Sequence, residues 1–169
     1  MRRGFTLIEM MISIAILSVM MLFLYKSYNA LNRSNALYKT KADAVKTLEL
    51  KKKVIFLDFS LALFDTYKII NQEKNTDIVF LQTSNSIHKR YNPYIAYIMK
   101  NEKLYRLESL KGFSDYPLPA DSVFDVDYLG EIKTFRTYKS KTDKTTFLID
   151  VDFKNGENIL MKVKGLNEF

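Results

Sequence analysis

The sequence predicts an α+β protein: a long N-terminal helix, transmembrane in its first half and amphipathic in its second, packed on a C-terminal antiparallel β-sheet domain. Three observations predict it. From Phe5 to Tyr25 the only charged residue is Glu9. No Gly or Pro occurs between Phe5 and Pro93, so nothing in that stretch ends a helix by backbone chemistry alone. Beyond residue 76, short β-rich runs alternate with turn residues. The composition, 47% hydrophobic and 27% charged over 169 residues, is sufficient for one folded domain.

Phe5 to Tyr25 would extend about 31 Å as a helix, the thickness of a bilayer's hydrocarbon core. Arg2 and Arg3 precede it and a long domain follows, which favours a cytoplasmic N-terminus and a C-terminal domain on the far side. A cleaved secretory signal would need a small-x-small site after the span, and Tyr28 stands where the small residue before Ala30 should be. A twin-arginine signal would lack both an n-region and a processing site. A plain anchor leaves Glu9 unexplained, because a charged carboxylate in an apolar span costs several kcal/mol unless it is paired. No Lys, Arg or His lies within the span. A cation at the right depth would arise if the chain were cut after Gly4, freeing an α-amino group on Phe5 four residues before Glu9.

Gly4-Phe5-Thr6-Leu7-Ile8-Glu9 followed by an apolar helix resembles the processing signal of type IV pilins and type II secretion pseudopilins. The resemblance implies a leader of residues 1–4 containing Arg2 and Arg3, cleavage between Gly4 and Phe5 by a membrane prepilin peptidase, and N-methylation of Phe5. It further implies that Glu9 neutralises the new amine, in its own or a neighbouring subunit, and sets the register of assembly. Major pilins often carry a Gly and a Pro where this chain has Ser18 and Lys26, which points to a minor subunit.

Residues 5–25 are thus expected to form the transmembrane and filament-core half of the helix, residues 26–68 its amphipathic half, and residues 69–169 a periplasmic sheet domain. Tyr38, Ala42, Val45, Leu48, Ile55, Phe59 and Leu63 recur at intervals of three, four or seven, a stripe interrupted by Lys52. The helix end is expected near Asp65 to Ile70. Strands are expected at Asp77–Thr83, Tyr94–Lys100, Leu104–Leu110, Ser122–Leu129, Ile132–Tyr138, Thr145–Phe153 and Glu157–Val163. Asn155-Gly156 suits a two-residue type I′ hairpin. Asn101-Glu102 is expected to turn a second one, bringing Tyr97 and Met99 near Tyr105 and Leu107.

Several chemistries are disfavoured. There is no Cys, which removes disulfides, thiolate metal sites and cysteine nucleophiles. His88 is the single histidine, so metal sites and hydrolytic triads are poorly served, and neither a metal nor a cofactor is expected. The net charge of +7 permits acidic partners, but Lys51 to Lys53 read more simply as a solvated helix face. Asp125/Asp127 and Asp150/Asp152 alternate as strand residues sharing a solvent face, not as calcium ligands. The aromatics, 14% of the chain, are expected in the core.

Leu57 to Leu63, Tyr97 to Leu107 and the Phe147 to Val163 hairpin are similar, in order, to J-type minor pseudopilins and their W-type counterparts in type IV pili. That resemblance implies a non-enzymatic subunit at the tip of a type II secretion pseudopilus, initiating assembly at the inner membrane for protein export. Its partners would be the prepilin peptidase, other minor pseudopilins or pilins, the major subunit and the assembly platform. A minor type IV or competence pilin, with some contact to nucleic acid, is the alternative. A tethered enzyme would have to be built on His88 and a nearby serine.

Overall fold

The computed structural model describes residues 6–63, 66–73, 75–113, 115–119, 121–143 and 145–166. It divides into two compact units, residues 1–47 and 48–169. The helix α1, Leu7–Ser60, contributes to both. In the first unit α1 buries none of its side chains, and large apolar residues such as Leu7, Phe23 and Tyr25 are among the most exposed. This portion is long and apolar enough to cross a membrane. Ser13 and Ser18 are tolerated there because each hydroxyl donates to the carbonyl one turn back, Glu9 and Ile14 respectively, at 2.8 Å.

In the second unit α1 ends at Ser60, earlier than the expected Asp65 to Ile70. Tertiary partners terminate it where no Gly or Pro does. The Tyr67 hydroxyl donates to the Phe59 carbonyl at 2.7 Å, and the Leu166 N–H donates to the Ser60 carbonyl at 2.8 Å. Two of the carbonyls that a helix end leaves unsatisfied are thereby paired. The chain then runs extended, Ala62 bridging Thr83.

Seven strands follow: β1 (Lys68–Glu73), β2 (Thr76–Gln82), β3 (Tyr94–Lys100), β4 (Lys103–Ser109), β5 (Asp125–Lys139), β6 (Thr146–Phe153) and β7 (Asn158–Lys164). Each pairs antiparallel with the next, and β2 also meets β5 through a parallel bridge, Thr76 with Phe135. β1 lies where the helix end was expected. Expected strands 122–129 and 132–138 are one strand, because Gly130 makes a bulge instead of a turn. Leu104 pairs with Gly130 and Tyr105 with Tyr128, leaving Leu129 as the extra residue. Gly130 has φ +139°, and a Cβ there would stand 3.1 Å from the Phe153 ring and 3.2 Å from Lys51 Nζ.

The type I′ turn expected at Asn155-Gly156 is found instead at Asn101-Glu102. Asn101 and Glu102 have φ of 51° and 60° and form the two-residue type I′ connection. At the other hairpin only Gly156 is left-handed, at φ 87°. The Gly156 N–H donates to Phe153 O at 3.2 Å, and the Phe153 N–H donates to Glu157 O at 2.9 Å. Three residues therefore separate the closing pair, a type I turn followed by a left-handed Gly. The Asn101-Glu102 turn also pairs Lys100 with Lys103, so odd residues face even ones. Tyr97 and Met99 consequently align with Arg106 and Leu104, while Tyr105 and Leu107 align with Ile98 and Ala96 on the opposite face.

The main core joins Ile55 and Phe59 of α1 to alternate residues of the sheet, among them Val79, Tyr97, Phe135, Phe147, Val151 and Val163. On the other face of β2 to β4, Ile78, Phe80, Ala96, Ile98 and Leu107 lie beneath Phe113, Tyr116, Leu118 and Phe124. Strands covered on both faces explain the unbroken apolar runs Ile78-Val79-Phe80-Leu81 and Ile95-Ala96-Tyr97-Ile98. β6 and β7, covered on one face, alternate. Lys51 Nζ sits 4.6 Å from the Phe153 ring centroid, and Lys52 pairs with Glu49 at 3.0 Å.

Candidate processing and assembly site

Glu9 stands in the first turn of α1, and its surroundings are a reciprocal cap. Thr6 is the N-cap. Its N–H donates to Glu9 Oε2 at 2.9 Å and its hydroxyl donates to the same oxygen at 2.8 Å. In return the Glu9 N–H approaches Thr6 Oγ1 at 3.4 Å. This is the capping box, Thr-x-x-Glu, which satisfies two N–H groups that a helix start otherwise leaves open. Sequence reading attached Glu9 to an amine alone; the Thr6 spacing was the signal that the same carboxylate also caps its own helix. Glu9 is exposed, and none of the described residues encloses it. Arg2, Arg3, Gly4 and Phe5 lie outside the described residues.

A second charged constellation is buried in the sheet unit. Arg106, on β4, has 0% exposure. Its Nε and Nη2 donate to the two Asp58 oxygens at 2.6 and 3.1 Å, and its Nη1 donates to Glu108 at 2.7 Å and Asp127 at 3.0 Å. Asp58 also accepts from the Tyr97 hydroxyl at 2.6 Å and from Asn85 at 2.7 Å. Burial pushes the Asp58 carboxyl above its ordinary range, against the pull of Arg106, Tyr97 and Asn85. Burial, then Asp58, push the Tyr97 hydroxyl well above its own. For Glu108 burial acts upward but is outweighed by the Ser86 hydroxyl, Arg106 and the Ile87 N–H, which hold it low.

This network fastens α1 and the segment after β2 to β4. Asp127 turns inward to Arg106 and to His88 Nε2, 3.0 Å away, and Asp125 receives Arg90 Nε at 3.0 Å. The expectation that this aspartate pair merely faces solvent is corrected: partners on neighbouring elements draw both into ion pairs. His88, Glu108 and Asp127 bring potential ligand atoms within 4.8 Å of one another. Their carboxylate oxygens already receive Arg106, Ser86, Ile87 and His88. The Ser86 hydroxyl donates to Glu108, not to His88, so the two do not form a nucleophile and base pair.

Comparison with known proteins adds one finding. Residues 1–25 match the family model described as the prokaryotic N-terminal methylation motif. No curated protein matches the chain, and no solved structure matches it. The matched motif is a prepilin peptidase cleavage site, and it heads a helix followed by an antiparallel seven-stranded sheet. The match covers residues 1–25, and with the α+β arrangement behind it the chain is pilin-like in its motif and in its order of elements.

Proposed function

We propose that the chain is a minor pseudopilin: a structural subunit at or near the tip of a type II secretion pseudopilus, where it initiates assembly for protein export. The observation that carries this reading is the methylation motif ending in an apolar helix whose Glu9 has no cationic partner within the span. The resemblance of the helix end, the β3–β4 hairpin and the β6–β7 hairpin to J-type subunits supplies the minor assignment.

In this reading, prepilin peptidase cleaves between Gly4 and Phe5, the Phe5 amine is methylated, and residues 1–4, with Arg2 and Arg3, stay cytoplasmic. Residues 5–25 hold the precursor in the inner membrane and later enter the filament core. The Glu9 carboxylate then does two things. It caps its own helix through Thr6, and it offers a negative charge to the Phe5 amine of its own or a neighbouring chain, where low dielectric makes a mispaired charge costly. The helices exchange lipid for one another, so packing and this pair supply the preference. The sheet domain is periplasmic and presents surfaces to the other subunits and the assembly platform.

Charge supports secretion over DNA capture. Residues 69–169 carry 15 Lys or Arg and 14 Asp or Glu, so the sheet domain has little net charge to offer a nucleic acid. The test is peptide mass spectrometry of the membrane-extracted protein, made with and without active prepilin peptidase. N-methylated Phe5 only in the presence of the peptidase is expected. Persistence of Met1 to Gly4 in both samples would overturn the assignment.

A further inference from the structure

The part of α1 that follows the span, residues 26–47, lies wholly in the first unit and buries no side chain. On a seven-residue repeat beginning at Tyr28, position a holds Tyr28, Asn35 and Ala42, and position d holds Leu31, Tyr38 and Val45. The large members of this seam, Tyr28, Leu31, Tyr38 and Val45, are all exposed. A seam of this kind is what one helix presents to another in a coiled coil. The positions that flank such a seam are e and g: here Asn32, Lys39 and Lys46 at e, and Ser34 and Lys41 at g. Asp43, the one acidic residue between 26 and 47, falls at b, away from the contact.

The flanks decide which helix fits. Two chains anchored in a membrane by the same end run parallel, and in a parallel pair g of one helix meets e of the next repeat on the other. Two copies of this chain would set Lys41 against Lys46 twice. Like charges there disfavour the pair, and opposite charges favour it. The bias falls in the seam itself, where residues 28–46 carry Arg33, Lys39, Lys41 and Lys46 against the single acidic Asp43.

We propose that residues 28–46 are a selective docking seam for the helix of a different chain, with apolar a and d positions and Asp or Glu facing Lys39, Lys41 and Lys46. The seam favours an acidic-flanked neighbour over a second copy. This deepens the pseudopilin reading, on which it rests for the common anchoring direction, by stating the chemistry of the adjacent subunit.

The experiment pairs the full-length chain with a full-length probe of known chemistry, its own charge-reversed variant K39E/K41E/K46E, in mixed detergent micelles. The chain has no cysteine, so Ala42→Cys in both partners reports pairing by oxidative cross-linking, with tags of different mass separating the products. The mixed dimer is expected to exceed random pairing by about fivefold at low salt and to approach random pairing near roughly 1 M salt. A neutral probe, K39Q/K41Q/K46Q, is expected to fall between and guards against a misfolded reversal variant. Random pairing at every salt concentration overturns the proposal. So does a predominance of wild-type homodimers, which would make the seam a contact between copies. Cross-linking that appears only with phosphatidylglycerol, and equally for mixed and like pairs, also overturns it and assigns the lysines to a lipid surface. The mass of the N-terminal peptide in the same samples tests processing separately, so a failure of pairing and a failure of the pseudopilin reading are told apart.

Discussion

Replacing Arg106 with Met removes the cation that Asp58 and Glu108 share in the interior, while keeping most of the side chain's length. The guanidinium makes four hydrogen bonds to three carboxylates from a position with no solvent access. Breaking a buried pair from one side costs about 3–5 kcal/mol, because the remaining charge is left uncompensated. At roughly 2–4 °C per kcal/mol for a chain of this size, Tm falls by about 6–20 °C. The assay is thermal unfolding of the full-length chain in detergent, followed by the near-ultraviolet signal of its tyrosines. Asp58→Asn alone and the double variant complete a cycle. Asn keeps an acceptor for the Tyr97 hydroxyl, so the double variant should cost less than the sum of the singles by about 2 kcal/mol. A loss below about 1 kcal/mol for Arg106→Met, or strict additivity, would refute the account of the network as one coupled unit.

Glu9→Gln keeps an acceptor for Thr6 but removes the charge, so helix content and cleavage after Gly4 should persist while incorporation into filaments drops by about tenfold or more; an equal fall in helix content would assign Glu9 to capping alone. Thr6→Ala is the converse, fraying the first turn at a cost of about 1 kcal/mol with the charge intact, which circular dichroism would detect. The Asp143 carboxylate accepts from the Thr145 hydroxyl, the Thr145 N–H and the Thr146 hydroxyl, and these hold it down at about 2 from its ordinary 3.8. Its contribution is therefore complete above about pH 4 and is lost as pH falls towards 2. The Tm gap between the wild type and Asp143→Asn should close over that interval, and a constant gap would contradict the assignment. Gly156→Ala has open space for its Cβ but a φ of +87°, so it should cost about 1 kcal/mol through the backbone alone, and Gly156→Asn should cost less.

How far the fold was legible depended on whether a residue's role was local. Tyr94–Lys100 is a strand with the bounds expected of it, while β6 differs from expectation by one residue at its start and β7 by one at each end. Local rules failed where a distant group decided the outcome. Nothing near Ser60 says that a helix should stop there; Tyr67 and Leu166 do, from elsewhere in the chain. With the helix end expected near Asp65 to Ile70, its tail overran the start of Lys68-Ile-Ile-Asn-Gln-Glu and β1 was missed. The expected break between residues 129 and 132 falls at Gly130, where a bulge glycine and a turn glycine look alike in one dimension. At the site, the Thr6-x-x-Glu9 spacing was fully local, but the Phe5 amine of the same or a neighbouring chain already accounted for the carboxylate. Asp58 and Arg106 were invisible as a pair, since no periodicity links a helix residue to a strand residue 48 positions away.

The order of the sheet has a consequence for how the unit is made. Because every strand pairs with the one before it, nearly all its ladders join residues close in sequence, a topology of low contact order that favours rapid formation hairpin by hairpin. The exceptions are few: the bridge from Thr76 to Phe135, and the amide of Leu166 on the carbonyl of Ser60. Both wait for later parts of the chain. Ile55 and Phe59 form early in synthesis, yet β6 and β7, which supply much of their cover, come last. The apolar side of the helix end thus stays open until the final strand is laid down, and a chain interrupted before β7 would expose that side to whatever surface lies nearest.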